Sequence, residues 1–316
     1  MTRTTPPRPV DIAAVFPEIK ELARITTRLH PRAGAPGVKD SSVGGPLLWP
    51  ADEPWPVCTK SHYMDGILER LDIERRRRLI LAASRGRRFT PEEQAEIIRL
   101  GEIPVSPPEE PFTLLAVAQL YCRDIPDLVA PPGMDMLQVL WCPFDHDGDG
   151  MYCPAVTLRW RRSADVVDVI DPQPEPEVMG YGYLPNPCVL HPEQVTEYPY
   201  WDFLPDDLGR RLAEWEDDSE HSYQCDLSIA SGWKIGGYSQ WNLTDGYPMD
   251  CECGTAMELL FMIDSSEWDG IISWRPREDD DSDDPNPPGV TISRGYRLWI
   301  FTCPDSFDHP HEMSIQ

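Results

Sequence analysis

Four landmarks occur twice in this chain, in the same order, and any fold for it must accommodate both sets. The first set runs from Ser42-Val43-Gly44-Gly45-Pro46 through Trp49-Pro50 to Trp55-Pro56-Val57-Cys58, and the second has Ile235-Gly236-Gly237-Tyr238, Trp241 and Cys251. An apolar run follows each, Leu114 to Leu120 and Leu259 to Asp264, and a second apolar run then ends in Cys-Pro, at Cys142-Pro143 and Cys303-Pro304. Phe-Asp-His comes next in both, at Phe144-Asp145-His146 and Phe307-Asp308-His309. Ordered repetition at unequal spacing predicts a duplicated unit carrying insertions. The expected architecture is α+β and β-rich: a duplicated two-lobe β-sheet fold with a few peripheral helices. Its divisions would be 1–171 for an N-terminal helix and the first repeat, with a helical insertion at 60–110. A linker and spacer helix would fill 172–224, and the second repeat 225–316, with an acidic loop at 275–288.

Composition narrows the function. With 35 prolines among 316 residues, short strands joined by turns are favoured over long helices. A net charge of −26 disfavours nonspecific nucleic-acid binding and anionic membrane surfaces, and it suits solubility or attraction of a basic partner, including by imitating nucleic acid. The first sixteen residues, MTRTTPPRPVDIAAVF, lack a signal-peptide core, and no membrane span is readable. The nine cysteines are therefore expected to be reduced, in a cytoplasmic protein, and available as metal ligands.

Along the chain, residues 1 to 9 form a basic, proline-rich tail, expected to be mobile. Apolar spacing from Ile12 to Ile25 predicts a helix over Asp11 to Leu29, capped by Asp11 and irregular at Pro17. In the insertion, Thr90-Pro91-Glu92-Glu93 is a capping box that opens a helix. Arg75 to Arg78 would surround a helix axis, so a solvated turn is expected there, as the one basic patch a partner could use. A strand is expected at Asp165 to Ile170 and a spacer helix at Asp207 to Glu216, while the acids between Arg275 and Pro288 suggest a flexible hairpin tip.

The residues with most chemical content are Cys251-Glu252-Cys253-Gly254, a knuckle in which glycine lets amides turn toward thiolate sulfur. Cys303 with His309 or His311 would complete a Cys3His shell suited to structural zinc. The first-lobe equivalents are Cys58, Cys142, His146 and the further candidate Cys153. Asp145 to Gly150 imitates the start of a calcium loop but has Val156 where the bidentate acid belongs, so a turn is expected. No serine elbow, Cys-His-acid arrangement or phosphate loop is present. The tryptophans are expected mostly as core filler in a β-rich chain, but Trp49, Trp55 and Trp241, with Tyr238, lie on loops beside the repeated turn, where aromatics can line a peptide groove.

Ser42 to Pro46 with Trp49-Pro50, the run ending at Gln119-Leu120, Lys234 to Tyr238, and Leu259 to Ser265 together resemble the YwqG family, bacterial proteins of unsettled function. Met262 departs from the glutamine often found there. The resemblance implies a duplicated β-rich fold with pseudo-twofold symmetry between its lobes. It extends to the programmed-cell-death-2 and Tsr-type ribosome-assembly proteins, whose cysteine knuckles before an apolar strand look like Cys251 to Ile263. Such relatives are thought to chaperone or hold protein partners, and some bacterial ones lie beside toxin genes; they offer no catalytic residues to transfer. The expectation is a non-enzymatic protein-binding module, chaperone-like or toxin-immunity-like, gripping a protein or peptide, basic in character, where the lobes meet. The alternatives are a metal-dependent enzyme acting on a small molecule, or a structural subunit of a larger complex.

Overall fold

The computed structural model of the chain describes residues 2–64, 66–84, 89–102, 105–106, 109–148, 151–268, 272–281 and 283–316. In chain order its strands are β1 (Arg24–Arg28), β2 (Arg32–Ala33), β3 (Ser42–Val43), β4 (Val57–Cys58), β5 (Ile67–Glu69), β6 (Phe112–Thr113), β7 (Leu115–Tyr121), β8 (Met136–Gly148), β9 (Met151–Arg161), β10 (Val178–Gly180), β11 (Cys188–Val189), β12 (Glu193–Glu197), β13 (Lys234–Gly236), β14 (Glu258–Asp264), β15 (Arg297–Thr302) and β16 (Glu312–Ile315). The α-helices are α1 (Ile12–Val15), α2 (Arg70–Ser84), α3 (Pro91–Glu102) and α4 (Asp206–Asp217). The fold is α+β and rich in antiparallel sheet, and no helix among the described residues is long and apolar enough to cross a membrane.

Two six-stranded sheets dominate, in the orders β2-β11-β3-β7-β8-β9 and β12-β1-β13-β14-β15-β16. Their registers correspond. Val43 faces Ala118 in one and Ile235 faces Phe261 in the other. The next ladder is interrupted by a bulge between Ala116 and Ala118 opposite Leu140/Val139, and by one between Leu259 and Phe261 opposite Phe301/Ile300. Counting on from the Val43/Ile235 pair, Trp49 falls on Trp241; counting on from Val139/Ile300, Cys142 falls on Cys303. The sheets do not follow the 1–171 and 225–316 divisions, because β1 lies beside β13 and β11, from the 172–224 segment, lies beside β3. Each sheet borrows strands from outside its own landmarks.

Alternation along the strands sorts side chains into layers. Leu137, Val139 and Trp141 of β8 share one buried cluster with Phe261, Ile263, Leu298 and Ile300 of the other sheet. Leu140, Cys142 and Phe144 point away, into a smaller cluster with Leu47, Trp49 and Phe112. Likewise Trp299 and Phe301 pack outward with Trp241, Cys251 and Met257. The two sheets share the first of these buried clusters, which fills the space between these strands.

Several local expectations change. Asp11 does cap, accepting the amides of Ala13 (3.1 Å) and Ala14 (3.3 Å), but the α-helix stops at Val15. Pro17 has no amide proton to continue it, a 3₁₀ turn spans Pro17–Leu22, and the chain then enters β1, where β-branched Thr26 and Thr27 suit a strand paired on both sides. The four arginines lie on α2, not in a turn: Ile73 is buried beneath it, and Arg77 bridges to the carbonyls of Leu184 (2.5 Å) and Gly289 (2.6 Å). The capping box of α3 forms as read, with Glu93 N–H donating to Thr90 Oγ1 (3.2 Å) and Thr90 N–H to the Glu93 carboxylate (3.0 Å). The spacer helix is α4, its Leu208 and Leu212 packed with Phe16 and Ile19. Asp165 to Ile170 holds a 3₁₀ turn at Ser163–Asp165 and a single bridge at Val169 instead of a strand.

The basic tail and the acidic loop are anchored to each other. Asp279, its side chain fully buried, pairs with Arg3 and Arg32, so the 275–288 segment is no free hairpin tip, although residue 282 lies outside the described residues. Nearby, buried His30 sits between Glu267 (2.5 Å) and Glu193 (3.1 Å), and Arg28 reaches Glu267 at 3.4 Å. Burial raises the Glu267 pKa, but His30, Arg28 and Arg32 outweigh it and hold the carboxyl at about 2. A depressed acid stabilises the fold above its unfolded value, about 4.3, and that stability disappears as pH falls through the folded value. Unfolding free energy should therefore drop by about 3 kcal/mol from this group between about pH 5 and pH 2. Urea titrations across that window should show a shallower fall for Glu267→Gln; an identical slope would refute the assignment.

Candidate metal centres

The first outer cluster gathers Cys58, His62, Cys142 and His146, whose ligand atoms lie within 4.8 Å of one another. Cys142 and His146 stand four residues apart on β8, a spacing that returns both to one face of a strand. A register shift between Trp141 and Asp145 adjusts that face. Cys58 ends β4, which pairs with β6 over two residues only, and His62 follows in the loop. Cys58 Sγ is 3.7 Å from His146 Nε2, and His62 Nε2 is 3.1 Å from Cys142 Sγ. His62 packs edge-on against Phe112 and Phe144.

The second cluster gathers Cys251, Cys253, Cys303 and His309 within the same 4.8 Å limit. The knuckle turns as its sequence requires: Gly254 has φ +87°, its amide donates to Cys251 O (2.8 Å), and Cys251 N–H donates to Thr255 O (2.9 Å). Cys253 Sγ lies 3.6 Å from Cys303 Sγ, and Cys251 Sγ 3.4 Å from His309 Nδ1. Zinc bonds of about 2.0–2.3 Å in a tetrahedron imply ligand–ligand edges of about 3.3–3.8 Å, which these separations approach. Both groups can hold a metal such as zinc.

Electrostatics differ between the two. Burial raises the Cys142 thiol far above its usual range and lowers His146 to about 4, with His62 and Lys60 adding to the latter. Burial also lowers His62. Both imidazoles are thus neutral at physiological pH, the form that ligates a metal. Cys253, on the rim, is lowered to about 6 by hydrogen bonds from Thr255, so the exposed knuckle offers a ready thiolate.

Against the sequence reading, the second cluster contains all four residues named for it, with His309 rather than His311. The first contains Cys58, Cys142 and His146, but its fourth member is His62 instead of Cys153, which pairs across the ladder from His146. The signal for His62 was present: Cys58 and His62 repeat the Cys-x3-His spacing of Cys142 and His146. In the calcium-like run, Asp147 and Gly148 continue β8, while residues 149 and 150 lie outside the described residues. The proposed aromatic surface is mostly interior. Trp49 and Trp241 are each 1% exposed, filling the outer clusters, so neither presents a face to a partner. Trp55 is half-buried, donates to Leu114 O (2.9 Å) and lines a cleft of about 760 Å³ with Gly44, Gly45 and Pro185. Tyr238 is half-buried and donates to Leu22 O (2.6 Å). The chain matches no protein-family model and no curated protein.

Proposed function

We propose that both clusters hold structural zinc, that the two sheets are copies of one unit, and that the chain is a non-enzymatic, cytoplasmic binding module for a basic protein partner. The observation that carries this reading is the makeup of each cluster: four protein donors within 4.8 Å of one another would complete a tetrahedral shell and leave no position for substrate or an activated water, which catalytic zinc requires. Nine unpaired cysteines fit a reducing compartment. The charge of −26 favours a basic partner. The resemblance to partner-holding proteins points the same way. Immobilised protein should retain a basic protein from lysate of the source cell at low salt and release it at high salt. Recovery of nothing above background at low salt would overturn the binding reading.

A further inference from the structure

We propose that Glu193, Trp274, Glu278 and Asp279 form a cradle for an arginine-containing, proline-rich peptide, and that residues 3–8 of this chain occupy it in cis. The inference deepens the binding-module reading and rests on it, since the cradle would be the place where a basic partner docks.

The Arg3 to Arg8 segment is held as a peptide ligand is held. The Thr5 amide donates to both oxygens of Glu193 (3.0 and 2.8 Å), and the Thr5 hydroxyl donates to Glu193 (2.5 Å) while accepting from Arg28 (2.7 Å). The Thr4 amide donates to Glu278 (2.8 Å), and Thr4 O accepts from the backbone amide of Arg277 (2.9 Å). At the two ends, Arg3 Nε lies 2.8 Å from Asp279 and the Arg8 guanidinium stacks over Trp274. Main-chain contacts at the centre flanked by two arginine contacts recognise an extended backbone and the spacing of its charges. Pro6-Pro7 between them favours the extended form and lowers the ordering cost.

The floor of the cradle is built independently of its occupant. His30 binds Glu193 and Glu267, Arg28 binds Glu267 and the Trp274 carbonyl (3.0 Å), and Arg32 binds Asp279. Removing the segment would leave Glu193 held by His30 and Asp279 by Arg32, with Asp279 short of its Arg3 partner and Trp274 without the Arg8 guanidinium. An intramolecular occupant acts at millimolar effective concentration, so it would screen the cradle against weak partners and yield to one with better-matched arginines.

The test uses calorimetry with the synthetic peptide acetyl-RTTPPRPV-amide. A chain lacking residues 2–8 should bind it saturably, binding should weaken at least about tenfold when both peptide arginines are alanine, and the full chain should bind at least about tenfold more weakly than the truncated one. Equal binding by the folded truncated chain and the full chain, or indifference to the alanine replacements, would overturn the proposal. If the truncation does not fold, the full-length double variant Arg3→Ala/Arg8→Ala should gain peptide binding and lose hydrogen-exchange protection at the Thr4 and Thr5 amides; failure of both changes is equally fatal. Peptide binding without a partner from lysate would sustain the cradle and sink the binding-module reading, and a captured partner without peptide binding would do the reverse.

Discussion

Replacing Cys303 by serine should, on the proposed zinc assignment, take the metal content from two equivalents per chain to one and destabilise the protein by about 5 kcal/mol or more, a fraction of the about 10–16 kcal/mol with which small structural sites bind zinc. Cys303 closes the strand side of its cluster, so its loss unties the Cys251–Gly254 knuckle from β15. The outer layer depends on such ties. The β4–β6 ribbon has two residues per strand, too few to persist alone, and Cys58 lies in it. Cys142→Ser should cost the other equivalent by a similar amount, and because the clusters share no ligand the two losses should add within a few tenths of a kcal/mol. Metal analysis by mass spectrometry with urea unfolding of both single variants and the double checks this. Wild-type protein stripped of metal that unfolds at the same urea midpoint with and without zinc would eliminate both centres.

Lys234→Met should cost about 3–5 kcal/mol, although methionine nearly matches the lysine in length and fits the core around it. Lys234 and Glu197 are both fully buried, with Nζ at 2.6 and 2.7 Å from the carboxylate oxygens. Nζ also donates to Tyr238 O (2.7 Å), and Glu197 accepts the amides of Ala230 (2.7 Å) and Tyr238 (2.8 Å). Burial lowers the lysine pKa and the Glu197 charge opposes that shift. Losing the ammonium strands a desolvated carboxylate, which is costlier than the pair itself is favourable. Glu197→Gln added to Lys234→Met should therefore restore part of the loss in a urea unfolding cycle. A single-variant loss under 1 kcal/mol would show that water reaches the site. The same pair fixes the second glycine turn: a Cβ on Gly237, at φ +77°, would stand 2.3 Å from Glu197 Oε2.

The legible parts of this protein were those whose cause is local. The strands Leu115–Tyr121 and Glu258–Asp264 announce themselves by continuous apolar runs, because both faces of each are covered. The α3 capping box and the Gly254 turn follow from side chains three residues apart or fewer. The three cysteines of the second candidate cluster were readable because its knuckle and its Cys-Pro strand end are each short motifs, while the choice of His309 over His311 was left to the fold. His62 was not picked out although Cys58 and His62 repeat the Cys-x3-His spacing of Cys142 and His146, because that spacing gains meaning only when the fold brings the loop histidine against Cys142, Phe112 and Phe144.

The sequence by itself determined the two parallel sets of strands and turns, the helix caps, and most of the candidate metal-ligating residues, since each depends on neighbours along the chain. Only the tertiary structure decided that Arg24–Arg28 is a strand, that the tail lies in an acidic cradle, and that Trp49 and Trp241 are interior. Thr27 is paired with Ile235, and Arg3 is held by Asp279. A backbone segment with weak helical periodicity takes whichever partner satisfies its amides and carbonyls, and here those partners come from the far end of the chain.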